Sequence, residues 1–330
     1  MPLVATGRRP ALNKNDVIMK PEILVLAPLM PACMAALVRE YTVHRLWQAS
    51  DRDALLSRIG PNVRAIVTNG ATAAGASLIN ALPRVEIIAC FGVGVDAIDL
   101  PLAKKRGIPV TNTPDVLTED VADMALALLL AASRQILVGD QYVRSGQWER
   151  GEMALTRRVS GKSVGIFGLG RVGRAFAQRV AAMHMKISYT NRRKIDVPYT
   201  FYPEVSKLAA DVDFLVITAA GGDATRKAVN RAVLEALGPE GILINVARGS
   251  IVDEESLIQL LKEGKLGGAG LDVFASEPNV TEKLKSLSNV VLQPHHGSGT
   301  LETRSAMADL VVRNLEAHFA GKPLLTPFNS

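Results

Sequence analysis

The sequence predicts an α/β protein made of two doubly wound parallel sheets with a cleft between them. Two observations carry that expectation. Short β-branched runs alternate with helical stretches twice along the 330 residues, and the second series opens near mid-chain on a strand ending in Gly168, Gly170 and Gly173. A chain of this length has room for roughly two domains with sizeable cores.

The first twenty residues are basic (Arg8, Arg9, Lys14, Lys20), contain Pro10, and lack both an apolar signal core and a small-residue cleavage site, so a loosely ordered extension is expected. Residues 23–27, 42–46, 65–68, 87–90 and 109–111 then read as five strands with helices between them. From Thr118 a long helix carries Val121, Ala122, Ala125, Leu128, Leu129 and Ala132, followed by a second apolar segment around Ile136, Leu137 and Tyr142. So much small and aliphatic surface predicts burial on several faces, by a dimer partner or by a large intradomain core. Residues 164–167, 186–189, 214–218, 242–246, 269–272 and 290–292 give six further strands, and 301–319 reads as a helix returning to the first unit. Chain crossings near Pro114 and Gly299 divide the protein into 1–113 plus 300–330 and 114–299, with a hinge between the two parts.

The stretch Ser163-Val164-Gly165-Ile166-Phe167-Gly168-Leu169-Gly170-Arg171-Val172-Gly173 has the chemistry of a dinucleotide pyrophosphate site. Gly168 permits a tight turn, Gly170 lets backbone N–H groups approach phosphate oxygens, and Gly173 lets the following helix pack on the strand with its positive end toward the anion. A Gly-rich turn of purely structural use is the plainer alternative, but the strand before and the helical spacing of Val172, Phe176, Val180 and Met183 after it supply the context the motif needs. At the end of the next strand an NAD site would place an acid for the ribose 2′-hydroxyl, whereas this chain has Thr190-Asn191-Arg192-Arg193-Lys194. Cations in place of an acid favour NADPH over NADH, with Asn191, Arg192 and Arg193 as contacts; a solvated basic turn is the other reading.

Composition narrows the function classes. With 48% hydrophobic and 21% charged residues the chain is of soluble globular type, and its formal charge of +6 is accounted for by the N-terminal segment and the basic turn, without nucleic acid. Cys33 and Cys90 have neither disulfide nor metal-ligand spacing, so no metal is expected and a reducing cytoplasm fits. The longest apolar run, residues 124–132, is too short to span a bilayer.

Three polar motifs fall where strands of the second series end: Asn245-Val246-Ala247-Arg248-Gly249, the segment from Gly270 through Asp272 to Glu277-Pro278, and Gln293-Pro294-His295-His296-Gly297-Ser298-Gly299-Thr300. Strand carboxyl ends are where open α/β sheets bind ligands, so Thr218, Val246, Ala247 and Gly297 join the cofactor-binding set. Arg248, Glu277 and His295 form a set for reducing a 2-oxo acid: Arg248 clamps the carboxylate and polarises the carbonyl, His295 donates a proton to the forming alkoxide, and Glu277 holds the imidazole. Taken singly, each could be an ordinary surface or structural residue. His296 competes for the acid role, but neighbouring side chains diverge and His295 directly follows the strand and Pro294.

With Gly92-Val93-Gly94-Val95-Asp96-Ala97-Ile98-Asp99, Asn112-Thr113-Pro114, the glycine loop, the Arg248 motif, Leu271-Asp272-Val273-Phe274 with Glu277-Pro278, and Pro294-His295, the chain resembles the D-isomer-specific 2-hydroxyacid dehydrogenases over about residues 22–325. More narrowly, it is similar to the NADPH-dependent glyoxylate/hydroxypyruvate reductases and their hydroxyphenylpyruvate-reducing relatives. The resemblance implies a flavodoxin-like substrate domain beside a Rossmann NAD(P)-binding domain. It also implies that backbone N–H groups of Val93 and Gly94 bind the substrate carboxylate, that Asn69, Gly70 and Ala71 flank the same pocket, and that Asp272 accepts a hydrogen bond from the nicotinamide carboxamide. Leu169, Gly170, Arg171 and Val172 would cover the pyrophosphate, and Trp148 resembles an aromatic residue that reaches the neighbouring subunit's pocket in some relatives, though it could equally be a core tryptophan. The chain departs from the family pattern at Thr218-Ala219-Ala220-Gly221-Gly222-Asp223, where many members have a Pro-rich loop, and at Gln293, where Thr is frequent. The expected protein is a homodimeric reductase of glyoxylate, hydroxypyruvate or hydroxyphenylpyruvate. A dinucleotide-sensing corepressor on the same fold is the alternative of another class.

Overall fold

The computed structural model describes residues 20–328 and shows two parallel-sheet α/β domains. The basic extension with Arg8, Arg9 and Lys14 lies outside the described residues.

The first unit comprises β1 (Glu22–Val25), α1 (Pro31–Glu40), β2 (Thr42–Arg45), α2 (Arg52–Ile59), β3 (Val63–Asn69), α3 (Ala76–Asn80), β4 (Ile87–Phe91), α4 (Leu100–Lys105) and β5 (Val110–Thr111). Its strands run parallel in the order β2-β1-β3-β4-β5. Successive residues face opposite layers: Ile23, Ala65 and Ile87 pack with Leu37 of α1, while Leu24, Ile66 and Ile88 pack with Ile59, Ile79 and Ala103 on the other side.

After the first crossing, α5 (Thr118–Arg134) and α6 (Ile136–Arg144) are separated by Gln135, whose φ of +49 breaks the helix and bends it by 57°. The expected long helix is thus two. Helix α5 buries Ala122, Ala125, Leu128 and Leu129 as one stripe against the second sheet, so within the chain it is a core helix rather than one covered on several faces. Helix α6 keeps Ile136, Leu137, Val138 and Val143 exposed, and Trp148 beyond it is 65% exposed rather than in the core. Among the described residues no single helix is long and apolar enough to cross a membrane.

The second unit follows with β6 (Ser163–Phe167), α7 (Arg171–Ala182), β7 (Lys186–Thr190), β8 (Thr200–Phe201), α8 (Val205–Ala210), β9 (Phe214–Ile217), α9 (Arg231–Leu237), β10 (Ile242–Asn245), α10 (Glu254–Lys262), β11 (Gly268–Leu271), α11 (Glu282–Lys285) and β12 (Val290–Leu292). Seven parallel strands run in the order β12-β11-β10-β9-β6-β7-β8, one more than expected, because β8 is only two residues long and carries no periodicity. On one face Val164, Ile166 and Ile244 pack with α5 and α7; on the other Leu215, Leu243 and Leu271 pack with α9 and α10. Helix α12 (Leu301–Phe319) returns and lays Met307, Val311 and Leu315 on the first sheet beside α1.

Candidate active site

The glycine loop joins β6 to α7. Gly168 has φ +103, and a side chain there would collide with Ala219, while one at Gly173 would collide with the carbonyl of Gly168. These two glycines lock the helix start onto the strands. At Gly170 an added Cβ would meet nothing within 4 Å, so the turn is open where α7 presents its first amides. Thr218, just after β9, donates its hydroxyl to the carbonyl of Gly168 at 2.7 Å, and Asn191, after β7, accepts the Leu169 N–H at 2.7 Å. Leu169 is buried beneath the turn, Val172 is half-buried, and Arg192 and Arg193 stand exposed beside Asn191. The Arg171 guanidinium reaches Asp115 of the first crossing at 2.6 Å. An open amide-lined turn on a 12-residue helix, flanked by free cations, fits a dinucleotide with an additional phosphate.

Beyond β10, Asn245 shapes the turn that projects Arg248. Its side-chain oxygen accepts the Ala247 N–H at 3.0 Å and its amide donates to the Arg248 carbonyl at 3.0 Å; Val246 and Ala247 are buried. The Arg248 side chain crosses to the first unit. Its Nε faces Asp96 at 3.3 Å and its Nη1 donates to the Ala247 carbonyl at 2.7 Å. Its Nη2 lies so close to the loop after β4 that a methyl at Gly94 would overlap it, and one at Gly70 would stand 3.5 Å away. Gly70 follows the carboxyl end of β3, together with Asn69 and Ala71. Asn69 accepts the N–H groups of Ala71 and Thr72 at 3.1 and 2.7 Å. The Val93 carbonyl is held by Asn112 at 2.9 Å, leaving Val93 exposed beside Gly94. The substrate-side loops and Arg248 therefore meet across the cleft.

The third side is built by the loops after β11 and β12. His295 adopts φ +52, a backbone region uncommon for residues other than glycine, which turns its ring toward Glu277. Nδ1 and Glu277 Oε2 are 2.6 Å apart, and Glu277 Oε1 accepts the Phe274 N–H at 2.9 Å. Burial alone would raise the Glu277 carboxyl, but the bond to His295, the Phe274 amide and the charge of Arg248 outweigh it and hold the group below the usual range. His296 is placed differently: its ring packs on Gly299, and its backbone N–H donates to Asp272. Asp272 is fully buried at the end of β11, accepting from His296 at 2.6 Å and from Gly297 at 2.8 Å; burial pushes its carboxyl above the ordinary value, partly offset by these amides. Gly249 packs so tightly on the Phe274 carbonyl that any side chain would overlap it. The Arg248 and Glu277 loops are thereby interlocked.

All the expected site residues stand at carboxyl ends of the two sheets. Two contacts were not legible from sequence: the pairing of Asp96 with Arg248, although Asp96 belongs to a signature run, and the approach of Arg304, from the first turn of α12, to the ends of β3 and β4. Cys33 and Cys90 are buried free thiols, with Cys90 pushed up to about 12 by burial. Among the described residues no group of three or more His, Cys, Asp or Glu is placed to hold a metal ion.

Residues 126–297 match the family described as D-isomer specific 2-hydroxyacid dehydrogenase, NAD binding domain. The chain is 52% identical over 306 residues to a glyoxylate/hydroxypyruvate reductase A of Arabidopsis thaliana, covering 92% of this chain and 98% of the relative. It is 50% identical over 307 residues to hydroxyphenylpyruvate reductase of Plectranthus scutellarioides, with the same coverage. Among solved structures, the NADPH-dependent glyoxylate/hydroxypyruvate reductase of Sinorhizobium meliloti in complex with NADP and malonate superposes with a TM-score of 0.89 at 43% identity, over 94% of this chain and 97% of that one.

Proposed function

The chain belongs to the D-isomer specific 2-hydroxyacid dehydrogenase family of oxidoreductases, and we propose that it reduces a small or aromatic 2-oxo acid to the D-2-hydroxy acid with NADPH, using Arg248, Glu277 and His295. The observation that carries this reading is the His295–Glu277 pair, 2.6 Å apart, on the sheet edge from which Arg248 reaches Gly94. The relatives named as glyoxylate, hydroxypyruvate and hydroxyphenylpyruvate reductases, and the neighbour with NADP bound, support it.

When bound, the dinucleotide supplies a hydride to the carbonyl carbon. Arg248 and the amides of Val93 and Gly94 fix the substrate carboxylate, and the guanidinium polarises the carbonyl. His295 delivers its Nε2 proton to the oxygen as charge develops there. Glu277 holds Nδ1, which fixes the ring's orientation and stabilises the imidazolium that precedes transfer. Leu169, Gly170, Arg171 and Val172 line the pyrophosphate turn, with Thr218, Val246, Ala247, Asp272 and Gly297 along the rest of the cofactor. Asn191, Arg192 and Arg193 take the 2′-phosphate. The division at 113/114 and 299/300 makes the cleft a hinge, and buried reduced thiols suit a cytoplasmic setting.

His295→Ala is expected to lower kcat with glyoxylate or hydroxypyruvate at least a hundredfold while NADPH binding, followed by fluorescence, is retained. Near-normal turnover of this variant would overturn the mechanism. NADPH bound by the wild type without turnover of any 2-oxo acid would point instead to a sensor. For the cofactor, kcat/KM should favour NADPH over NADH at least tenfold and the ratio should collapse in Arg192→Ala/Arg193→Ala; an intrinsic NADH preference would refute the assignment.

A further inference from the structure

Beside the carboxylate-binding loops lies a cavity of about 300 Å³ lined by Pro28, Leu29, Met30, Asn69, Phe91 and Arg304. Asn69 and Phe91 are the chain neighbours of Gly70 and Gly92, so the cavity continues directly from the place where Arg248 meets Gly70 and Gly94. It far exceeds what a two-carbon acid needs.

The walls are divided. Pro28, Leu29, Met30 and Phe91 are apolar, whereas Asn69 and Arg304 bring nitrogen donors. The oxygen of Asn69 is already used by the amides of Ala71 and Thr72, so its remaining capacity is to donate. The Arg304 guanidinium is half-buried, lies 5.6 Å from the centre of the Phe91 ring, and has no hydrogen bond or ion pair among the described residues. Burial holds it below the usual arginine range, countered only by the more distant charge of Asp272. A half-buried cation without a partner calls for an acceptor from outside the chain.

We propose that this cavity is a distal substrate subsite, taking a 2-oxo acid whose tail has an apolar body ending in an oxygen acceptor, with Arg304 as the specificity-determining residue that binds that oxygen. The inference rests on the 2-oxo acid reading of the cleft. An aryl ring fits between Leu29, Met30 and Phe91, and a para oxygen would reach the donors of Arg304 and Asn69. A site built to bond a substrate hydroxyl discriminates against the analogue lacking it, because the buried donors are then left unpaired.

The test compares 4-hydroxyphenylpyruvate, phenylpyruvate and glyoxylate at saturating NADPH. The wild type should prefer 4-hydroxyphenylpyruvate to phenylpyruvate at least tenfold in kcat/KM, mostly through KM. Arg304→Met should bring that ratio to within about threefold of unity, with a loss on glyoxylate at least tenfold smaller than the loss on 4-hydroxyphenylpyruvate. Arg304→Lys should retain part of the preference, and serves in place of Arg304→Met if the latter does not fold. An unchanged ratio in the variants, equal losses on all three acids, or a wild type indifferent to the para hydroxyl would each overturn the subsite. Failure of the wild type to oxidise NADPH with any of the three would instead overturn the underlying reductase reading.

Discussion

At the scale of single residues, the Arg248 guanidinium shows how neighbours decide what a catalytic group can do. Asp96 engages its Nε and the Ala247 carbonyl its Nη1, which leaves Nη2 directed at Gly94 and Gly70. Asp96 is thus a positioning residue for Arg248. Asp96→Asn is expected to raise KM for the 2-oxo acid about three- to tenfold with a smaller fall in kcat, and to leave the NADPH dissociation constant within about twofold; steady-state kinetics with fluorescence titration checks this. Arg248, Glu277 and His295 could be picked from sequence because each sits just past a strand in a distinctive run. Asp96 could not be paired with Arg248 in advance, since 152 residues separate them and only the folded cleft brings them together. Arg304 was hidden for a related reason: it lies on a helix of the returning segment, three residues past the last motif, and only packing shows which strand ends it approaches.

Among the elements, strand β6 carries the glycine loop and its opposite end is pinned by a polar staple. Asp213, just before β9, accepts the Ser163 N–H at 2.9 Å, the Ser163 hydroxyl at 2.6 Å and the Lys162 ammonium at 3.0 Å. Burial alone would raise its carboxyl, but these donors prevail and hold it below the ordinary value. A carboxyl depressed in the folded state contributes stability that is present above its unfolded pKa, about 3.9, and is lost as pH falls through the lower folded value. Asp213→Asn should therefore cost about 1–2 kcal/mol at pH 7, and the gap between variant and wild type should narrow below about pH 4. Thermal unfolding at several pH values measures both, and a pH-independent gap would contradict the sign. Most strands were legible to within a residue or two, because apolar runs between turn residues are a strong signal. The exceptions follow from physics: β8 forms two residues of edge pairing that no periodicity can announce, and the break between α5 and α6 comes from one left-handed residue, Gln135, within a continuous apolar pattern.

The whole molecule is tied together where its two crossings meet. Thr300 hydrogen-bonds Asp120, the Thr303 hydroxyl donates to the Val116 carbonyl at 3.1 Å, and Arg179 of α7 bonds Glu119 and Asp123 at the start of α5. The returning helix and the outgoing one are thereby fastened side by side at the mouth of the cleft. On the outer side, Ile136, Leu137, Val138, Val143 and Trp148 expose apolar surface that the chain itself does not cover. A homodimer burying this face is expected, so light scattering at micromolar concentration should give about twice the 35.3 kDa chain mass, and Leu137→Glu should shift it toward one chain. A wild-type monomer would remove the idea.

The interlock of Gly249 with the Phe274 carbonyl also determines where new selectivity can evolve. Because those two loops are wedged together, drift in either would disturb Arg248 and Glu277 at once, and the chemistry is insulated from tinkering. The loop bearing Leu29 and Met30 carries no such constraint and faces the substrate from the other domain. A mutagenesis library seeking an altered acid preference is best confined there, leaving the reaction itself intact.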